Sequence, residues 1–262
     1  MIPVQFRELW EYRELLYFLV WRTVKVRYKQ TVLGIGWAVI QPVLMMIVFT
    51  VFFGSLVGIN TNGVPYPIFV YSALLPWNLF AVGLTGASTA LSGNENLITK
   101  VYFPRLLLPL SAVMVGLVDF SVAFTILIGL MVYYAYVPTL AVLTLPLFLL
   151  LAVMSAVGVS LWLSSLDAKY RDVRATIPYL TQLWFFATPT IYPTTYIPGA
   201  WQWLYSLNPM YGVVQGFRWA LIPGQAFSPN WLTLLSVIIV IVMLIGGMFY
   251  FRRAERTLAD IL

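Results

Sequence analysis

Long apolar stretches occupy most of the chain and leave no room for a large soluble domain. The first, residues 33–59, carries no charged side chain, and about 20 apolar residues are enough to cross a bilayer as a helix. Hydrophobic residues make up 61% of the sequence and charged residues 9%, which excludes an ordinary soluble domain. The sequence therefore predicts an all-α polytopic membrane protein. Its six transmembrane helices are expected at 33–59, 66–91, 109–136, 139–165, 176–192 and 231–251.

The basic residues indicate how these helices are oriented. Of the 15 Lys and Arg residues, all but Arg218 fall in four short clusters outside the apolar stretches. Cytoplasmic loops of membrane proteins are enriched in Lys and Arg. The pattern therefore predicts a bacterial inner-membrane protein with both termini in the cytoplasm. The clusters are Arg7–Lys29, Lys100–Arg105, Lys169–Arg174 and Arg252–Arg256.

The first 30 residues predict a separate helix. Apolar residues recur there every three or four positions and basic residues occupy the other side, which is typical of a helix lying along a membrane surface. We therefore expect residues 1–30 to form an amphipathic interface helix on the cytoplasmic side. Its role stays open between a lipid anchor and a docking surface for a cytoplasmic partner. Glu11 and Glu14 favour docking, because an anionic leaflet does not attract acids.

Residues 193–230 are too apolar for a solvated loop and too often interrupted for a seventh span. They contain five prolines, and the apolar run 207–222 within them is shorter than a bilayer crossing. We expect this segment to form a re-entrant outer hairpin between the fifth and sixth transmembrane helices. A plain interfacial cap is the alternative, and Arg218 lies inside the segment in both cases.

Asp119 is the one charged residue within the six apolar stretches. An ionisable group at that depth costs several kcal/mol unless it is paired, hydrated or protonated. We therefore expect Asp119 either to face a water-filled pathway or to make an interhelical hydrogen bond. A contact with Arg218 is conceivable, although no spacing in the sequence supports it.

The sequence contains no sign of a catalytic, metal or nucleotide site. His and Cys are absent, which removes the commonest metal ligands and general bases. No GxxxxGK[ST] phosphate loop occurs, and the acids show no spacing suggestive of a catalytic pair. We expect no enzyme activity, no metal and no cofactor in this chain. The net charge of +6 is ascribed to membrane orientation and lipid contact, and not to nucleic acid binding.

The loop 92–105, SGNENLITKVYFPR, follows the second apolar stretch on the cytoplasmic side. Asn94 or Asn96 is predicted to cap a short helix that Pro104 ends. A solvated turn is the simpler interpretation of the same residues. A short helix projecting into the cytoplasm would suit mechanical contact with a motor subunit.

Four motifs, in this order along the chain, resemble those of type-2 ABC exporter permeases. They are TVLGIGWAVIQP at 31–42, NENLITKVYFPRLLLP at 94–109, AKYRDVR at 168–174 and LNPMYGVVQGFRWAL at 207–221. The chain is most similar to the subfamily that exports lipid-linked O-antigen, capsule or teichoic-acid polysaccharides. The resemblance implies a homodimer bound to two ABC ATPase subunits, which hold the ATP and Mg²⁺. It also implies a polysaccharide linked through diphosphate to a polyprenyl lipid.

The resemblance further assigns roles to segments of this chain. The interface helix and the loop 92–105 are implied to contact the ATPase, and residues 193–230 are implied to hold extracytoplasmic gate helices. The residues expected to couple to the ATPase are Glu11, Glu14, Glu95, Asn96, Lys100, Tyr102 and Arg105. Those expected at the outer gate are Asn208, Tyr211 and Arg218.

Aromatic and basic side chains suit such a substrate. Aromatic rings offer stacking faces for sugars, and basic residues just before the first apolar stretch attract phosphate. Lipid contact, helix packing and leaflet anchoring are alternative roles for the same residues. The polymer pathway is expected to include Trp37, Phe49, Phe53, Trp77, Phe80, Trp184, Phe185 and Tyr192. The lipid-diphosphate headgroup is expected at Arg22, Lys25, Arg27 and Lys29.

Two other functions are compatible with this architecture. A type-2 ABC permease for small drugs or lipids would need a narrower and less aromatic pathway. An ATP-independent channel or carrier would need charges along the spans, where only Asp119 qualifies.

Overall fold

The computed structural model describes residues 6–29, 31, 33–170, 172–224 and 231–261, with all their side chains except those of Phe6, Arg7, Glu95 and residues 256–261. These residues form helices and turns, with no β-strand among them. In chain order the α-helices are α1 (Phe6–Glu11), α2 (Arg13–Lys29), α3 (Trp37–Phe49), α4 (Tyr66–Ser88), α5 (Glu95–Lys100), α6 (Leu107–Tyr133), α7 (Leu145–Lys169), α8 (Asp172–Phe186), α9 (Gly199–Ser206), α10 (Pro209–Leu221) and α11 (Trp231–Ile261).

Five helical segments in the described part of the chain are long and apolar enough to cross a membrane. Each overlaps one of the predicted spans, so the chain is a helical multi-pass membrane protein. The segments are Gly34–Leu56, Tyr66–Ser88, Leu107–Tyr133, Leu140–Lys169 and Trp231–Glu255.

The remaining apolar stretch, 176–192, is only partly helical. α8 begins at Asp172 and ends at Phe186 after 15 residues, fewer than the roughly 20 that a crossing needs. Pro189 lacks a backbone N–H and disfavours helical geometry in the residue before it. The chain therefore turns after Phe186 instead of continuing as a helix to residue 192.

The first membrane segment is helical but irregular. A 3₁₀ turn leads into α3, and beyond Phe49 the helix widens into the π-helical stretch Thr50–Leu56. Gly54 in this stretch lies against Tyr66 of α4, where an added Cβ would be 3.0 Å from the ring. The π-helical stretch thus packs closely against the first turn of α4.

α4 forms the centre of the bundle. Within its most apolar window 78% of the residues are buried, against 33% or fewer in the other four membrane segments. α6, α7 and α10 pack around it. The other long helices keep apolar faces that no described residue covers, which leaves them available to lipid or to another subunit.

Close helix crossings depend on three glycines. An added Cβ on Gly116 of α6 would lie 2.9 Å from the carbonyl oxygen of Leu79. One on Gly158 of α7 would lie 2.9 Å from the backbone nitrogen of Leu244, and one on Gly247 would lie 2.6 Å from the Gly158 oxygen. Small residues at crossings are typical of membrane bundles. They allow α6 to pack tightly on α4, and α7 on α11.

Candidate functional site

Arg218 on α10 is buried and binds four backbone carbonyl groups. Its Nη1 donates to Pro189 O at 2.7 Å and its Nη2 to Thr190 O at 2.5 Å. Longer bonds of 3.4 Å reach Phe69 O and Tyr192 O, and the guanidinium carbon lies 3.7 Å from the Phe69 ring centroid. Because a guanidinium carries five donors in a rigid plane, one side chain serves several carbonyls of the turn after α8. This arrangement, termed the outer clamp, joins α10 to α4 and to that turn.

The other two predicted gate residues also make contacts within the chain. Asn208 caps α10, because its Oδ1 accepts from Met210 N at 2.9 Å. The same oxygen accepts from Trp184 Nε1 at 2.9 Å, and Nδ2 donates to Thr188 Oγ1 at 2.7 Å. Tyr211, in the first turn of α10, is buried. All three side chains thus hold α10 in place against its neighbours.

Most of the aromatic residues predicted for the pathway contact one another. Phe185 stacks on Phe49 with centroids 5.5 Å apart and meets Trp77 edge-on at 5.4 Å. Phe80 contacts Trp77 and Trp184 at 5.5 and 5.1 Å. These five rings are buried or half-buried in the chain. They form an aromatic cluster between α3, α4 and α8, which Phe53 extends at 5.9 Å from Phe49.

Trp37 and Tyr192 lie apart from this cluster. Trp37, at the start of α3, is 46% exposed. Tyr192 donates its Oη to Phe186 O at 2.9 Å. Of the predicted pathway aromatics, Trp37 therefore presents the largest free ring surface in the single chain.

Asp119 pairs with the N-terminal helix α2 and not with Arg218. Its Oδ2 accepts from Arg27 Nη1 at 2.7 Å, and its Oδ1 accepts from Tyr28 Oη at 2.6 Å. The Asp119 side chain is 15% exposed and that of Arg27 39%, so water partly screens the ion pair. Burial, and then the hydrogen bond to Asp119, raise the pKa of Tyr28 to about 12. The phenol therefore remains a hydrogen-bond donor at physiological pH.

Two neighbouring cavities flank this ion pair. The larger, about 520 Å³, lies between α2, α3, α4 and α6 and is termed the polar cavity; Trp37, Gln41, Asn78 and Asp119 are among its lining residues. The smaller, about 390 Å³, is lined by α2, α4, α6 and the loop after α4. Arg27 lines both cavities.

The predicted headgroup residues divide between these cavities and the exposed surface. Arg22 lines the smaller cavity, and Arg27 lies between the two. Lys25 and Lys29 are exposed on α2 and line neither of them. The structure therefore brings two of the four basic residues together at one place.

A buried carboxylate connects the two loops that the sequence predicts on the cytoplasmic side. Asp167, near the end of α7, is 3% exposed and accepts from Ser92 Oγ at 2.9 Å. Arg174 on α8 donates to the same carboxylate through Nε at 3.3 Å and Nη2 at 3.2 Å, and it also contacts Ser92. These three residues, termed the cytoplasmic cluster, join the loop before α5 to the first turn of α8.

The loop 92–105 contains the predicted short helix, α5, and not a solvated turn. Asn94 precedes α5, but its Nδ2 donates to Ala90 O at 2.9 Å and its side chain accepts no capping bond. Asn96 lies inside α5, which ends at Lys100, four residues before Pro104. The prediction that Asn94 or Asn96 caps the helix and that Pro104 ends it is therefore wrong in detail.

The other predicted coupling residues lie on the surface of this region. Asn96, Lys100 and Tyr102 are exposed, and Arg105 Nη1 donates to Glu255 O at 3.1 Å. Glu11 and Glu14 are exposed on α1 and α2, and the side chain of Glu95 lies outside the described part of the chain.

Sequence reasoning missed the roles of Gln41, Asn78, Ser92, Asp167 and Arg174. Gln41 and Asn78 are the only amide residues in the apolar stretches 33–59 and 66–91, which is a sequence signal for a polar site within the membrane segments. The cytoplasmic cluster joins positions 75 and 82 residues apart. No local spacing indicates such contacts.

Comparison with known proteins identifies the family. Residues 14–222 match the family described as ABC-2 type transporter. The O-antigen export system permease protein RfbA of Myxococcus xanthus is 33% identical over 214 residues, covering 81% of this chain and 82% of that protein. A protein of the same name from Klebsiella pneumoniae is 27% identical over 95% of both chains. The polysialic acid transport protein KpsM of Escherichia coli is 25% identical over 91% of this chain and 93% of its own length.

These matches confirm the resemblance that the four motifs predicted. The chain belongs to the ABC-2 type transporter family.

Proposed function

We propose that this chain is the membrane subunit of an ABC transporter that exports a polyprenyl-diphosphate-linked polysaccharide across the bacterial inner membrane. The observation that carries the proposal is its similarity, over at least 81% of the chain, to relatives named for O-antigen export and polysialic acid transport. Both names refer to polysaccharides. This favours a polymer over the small drugs or lipids that the architecture alone would also permit.

Six crossings would place both termini in the cytoplasm. Five are the long apolar segments, and the sixth consists of α8 with the turn that follows it. α9 and α10 contain 8 and 13 residues and are roughly 12 and 20 Å long at 1.5 Å per residue. We therefore assign them to a re-entrant hairpin in the outer half of the membrane. This topology puts the four basic clusters on the cytoplasmic side.

Two copies of the chain would enclose the pathway. α8 and the π-helical stretch after α3 carry large apolar side chains that no described residue covers, among them Phe52, Tyr179 and Leu183, which are 55%, 70% and 68% exposed. A two-fold axis would bury such a face against its own copy. Aromatic rings left at the edge of the interface would offer stacking surfaces to sugars, with the buried aromatic cluster supporting them from behind.

A separate ATPase subunit would supply the energy and hold the ATP and Mg²⁺. It would contact α5 together with the exposed acids of α1 and α2. Because the cytoplasmic cluster joins the root of α5 to the start of α8, a displacement of α5 would move α8 along the pathway. ATP binding and hydrolysis would in this way open the pore formed by the two copies.

The substrate is tested by ATPase stimulation. The chain is purified with its ATPase in lipid nanodiscs, and ATP hydrolysis is measured with a polyprenyl-diphosphate-linked polysaccharide, with phospholipids and with hydrophobic drugs. We expect stimulation by the polymer alone. Stimulation by a drug or lipid without a response to the polymer would refute the assignment. Failure to form a complex with any ATPase would refute the proposal that a separate ATPase subunit drives this chain.

The coupling surface is tested with two exposed tyrosines. Tyr102 follows α5 and is 87% exposed, whereas Tyr133 ends α6 at the opposite end and is 81% exposed. Tyr102→Ala is expected to reduce polymer-stimulated ATP hydrolysis severalfold, and the control Tyr133→Ala is expected to leave it unchanged. Equal behaviour of the two variants would contradict a coupling role for this loop.

A further inference from the structure

We infer that the polar cavity between α2, α3, α4 and α6 binds the sugar residue that is attached directly to the diphosphate of a lipid-linked glycan. The inference rests on the proposed function and adds to it a location and a chemical specificity. It depends on two amides, one aromatic ring and the placement of charge around the cavity.

Two amide side chains line the cavity without a hydrogen bond to any described residue. Gln41 lies on α3 and Asn78 on α4. The neighbours of Asn78 in sequence, Trp77 and Leu79, are buried in the apolar core. Asn78 is half-buried and Gln41 is exposed, so a ligand that enters the cavity can reach both amides. A sugar hydroxyl suits both amides, because it accepts from the N–H groups and donates to the C=O group.

An aromatic ring lies beside these amides. Trp37 precedes Gln41 by four positions on α3, so both side chains lie on the same face of the helix. The indole ring lines the cavity and remains 46% exposed. The apolar C–H face of a sugar ring packs on such a surface while its hydroxyl groups contact the amides. The volume of about 520 Å³ lies within the range of small-ligand sites.

The charge around the cavity favours a sugar over a free anion. The positive charge of Arg27 is balanced by Asp119, whose carboxylate also accepts from Tyr28. The edge of the polar cavity thus carries hydrogen-bonding groups but no net charge, which suits neutral hydroxyl groups.

The smaller cavity supplies the place for the diphosphate. Its walls include the exposed Arg22 and also Arg27, which lines both cavities. The hydroxyl groups of Thr23, Thr89 and Ser111 in its walls donate to backbone carbonyls, so phosphate recognition falls to the two arginines. A diphosphate between Arg22 and Arg27 would leave its first sugar in the polar cavity.

The test compares binding of three probes to the complex in nanodiscs. They are polyprenyl diphosphates carrying one hexose or N-acetylhexosamine, taken as a panel, the same lipid without a sugar, and phosphatidylglycerol. Gln41→Met keeps the length of an exposed side chain and removes its hydrogen bonds. Combined with Asn78→Leu, it is expected to weaken the best sugar-bearing probe about tenfold, corresponding to one or two lost hydrogen bonds. The bare lipid is expected to bind as it does to the unchanged protein.

Two further variants separate the parts of the site. Trp37→Leu is expected to weaken the sugar-bearing probe severalfold, whereas Trp231→Leu, at an exposed position on α11 outside the cavity, serves as its matched control. Arg22→Gln is expected to weaken both polyprenyl diphosphates to the same extent.

The outcomes distinguish this inference from the function on which it rests. The sugar site is wrong, while the proposed function stands, if Gln41→Met and Trp37→Leu leave binding of the sugar-bearing lipid unchanged. The same conclusion follows if these variants weaken binding of the sugar-bearing and the bare lipid equally. Displacement of the sugar-bearing lipid by an equal amount of phosphatidylglycerol also overturns the sugar site. If the unchanged complex binds no polyprenyl diphosphate at all, the proposed function fails together with the site.

Discussion

Replacing Arg218 by Met removes the outer clamp and is expected to destabilise the protein by about 2–4 kcal/mol. Its two short bonds, to Pro189 O and Thr190 O, are charge-assisted and contribute roughly 1.5–3 kcal/mol each. The contact with the Phe69 ring adds about 2 kcal/mol in a desolvated setting. These contacts together contribute about 5–8 kcal/mol, but burying the charge of Arg218 costs several kcal/mol. Met avoids that cost, so only the difference is lost.

Arg218→Lys tests the geometry of the clamp directly. A lysine keeps the charge but has a single nitrogen in place of the planar fork, so it cannot serve the same set of carbonyls and leaves the buried charge poorly compensated. We therefore expect Lys to destabilise at least as much as Met. Thermal unfolding of the detergent-solubilised protein is the assay, and the expected fall in Tm is about 5–15 °C.

The control for both variants is Arg253→Met, an exposed arginine on α11, with a shift of about 1 °C or less expected. A wild-type Tm for Arg218→Lys would show that charge alone is sufficient. The reasoning from guanidinium geometry would then be wrong.

Two other variants test packing and coupling. Gly216→Ala would put a Cβ 2.1 Å from the Phe148 ring, so we expect a loss of about 1–3 kcal/mol in thermal unfolding. Gly129→Ala, which meets nothing within 4 Å, is the control, and equal Tm values would contradict this packing. Asp167→Asn keeps the size of the side chain but removes the charge from the cytoplasmic cluster, and is expected to lower polymer export per ATP hydrolysed severalfold. Asp172→Asn, exposed on α8, is its control, and an unchanged export ratio in Asp167→Asn would refute transmission through the cluster.

The long helices were predictable because their signal is local and strong. The apolar stretches predicted at α4, α6, α7 and α11 contain a single charged residue, Asp119, and a chain in lipid satisfies its backbone best as a helix. α8 ends before the predicted boundary, close to Pro189, although Pro178 lies within the helix. A proline in the sequence therefore does not by itself indicate where a membrane helix ends. The π-helical stretch after α3 has no comparable signature in the sequence.

The side-chain partners were less predictable than the helices. Arg218 binds carbonyl groups, which every residue possesses, so no residue type elsewhere in the chain indicates its partners. Asp119 and Arg27 meet across 92 positions, and only the crossing of α2 over α6 brings them together. The aromatic residues predicted for the pathway were hard to assign for a different reason. An aromatic side chain can stack on a sugar or on another aromatic ring, and most of these side chains contact other rings in the structure.

Transport itself tests the central proposal most directly. The chain and its ATPase are reconstituted into proteoliposomes with the ATPase outside, and a fluorescent polyprenyl-diphosphate-linked polysaccharide is added on that side. We predict that ATP will protect the polysaccharide from an external glycosidase, and that a non-hydrolysable ATP analogue or Asp167→Asn will reduce this protection. Polysaccharide that remains fully accessible to the glycosidase in the presence of ATP, in a complex that hydrolyses ATP, would contradict the proposed function.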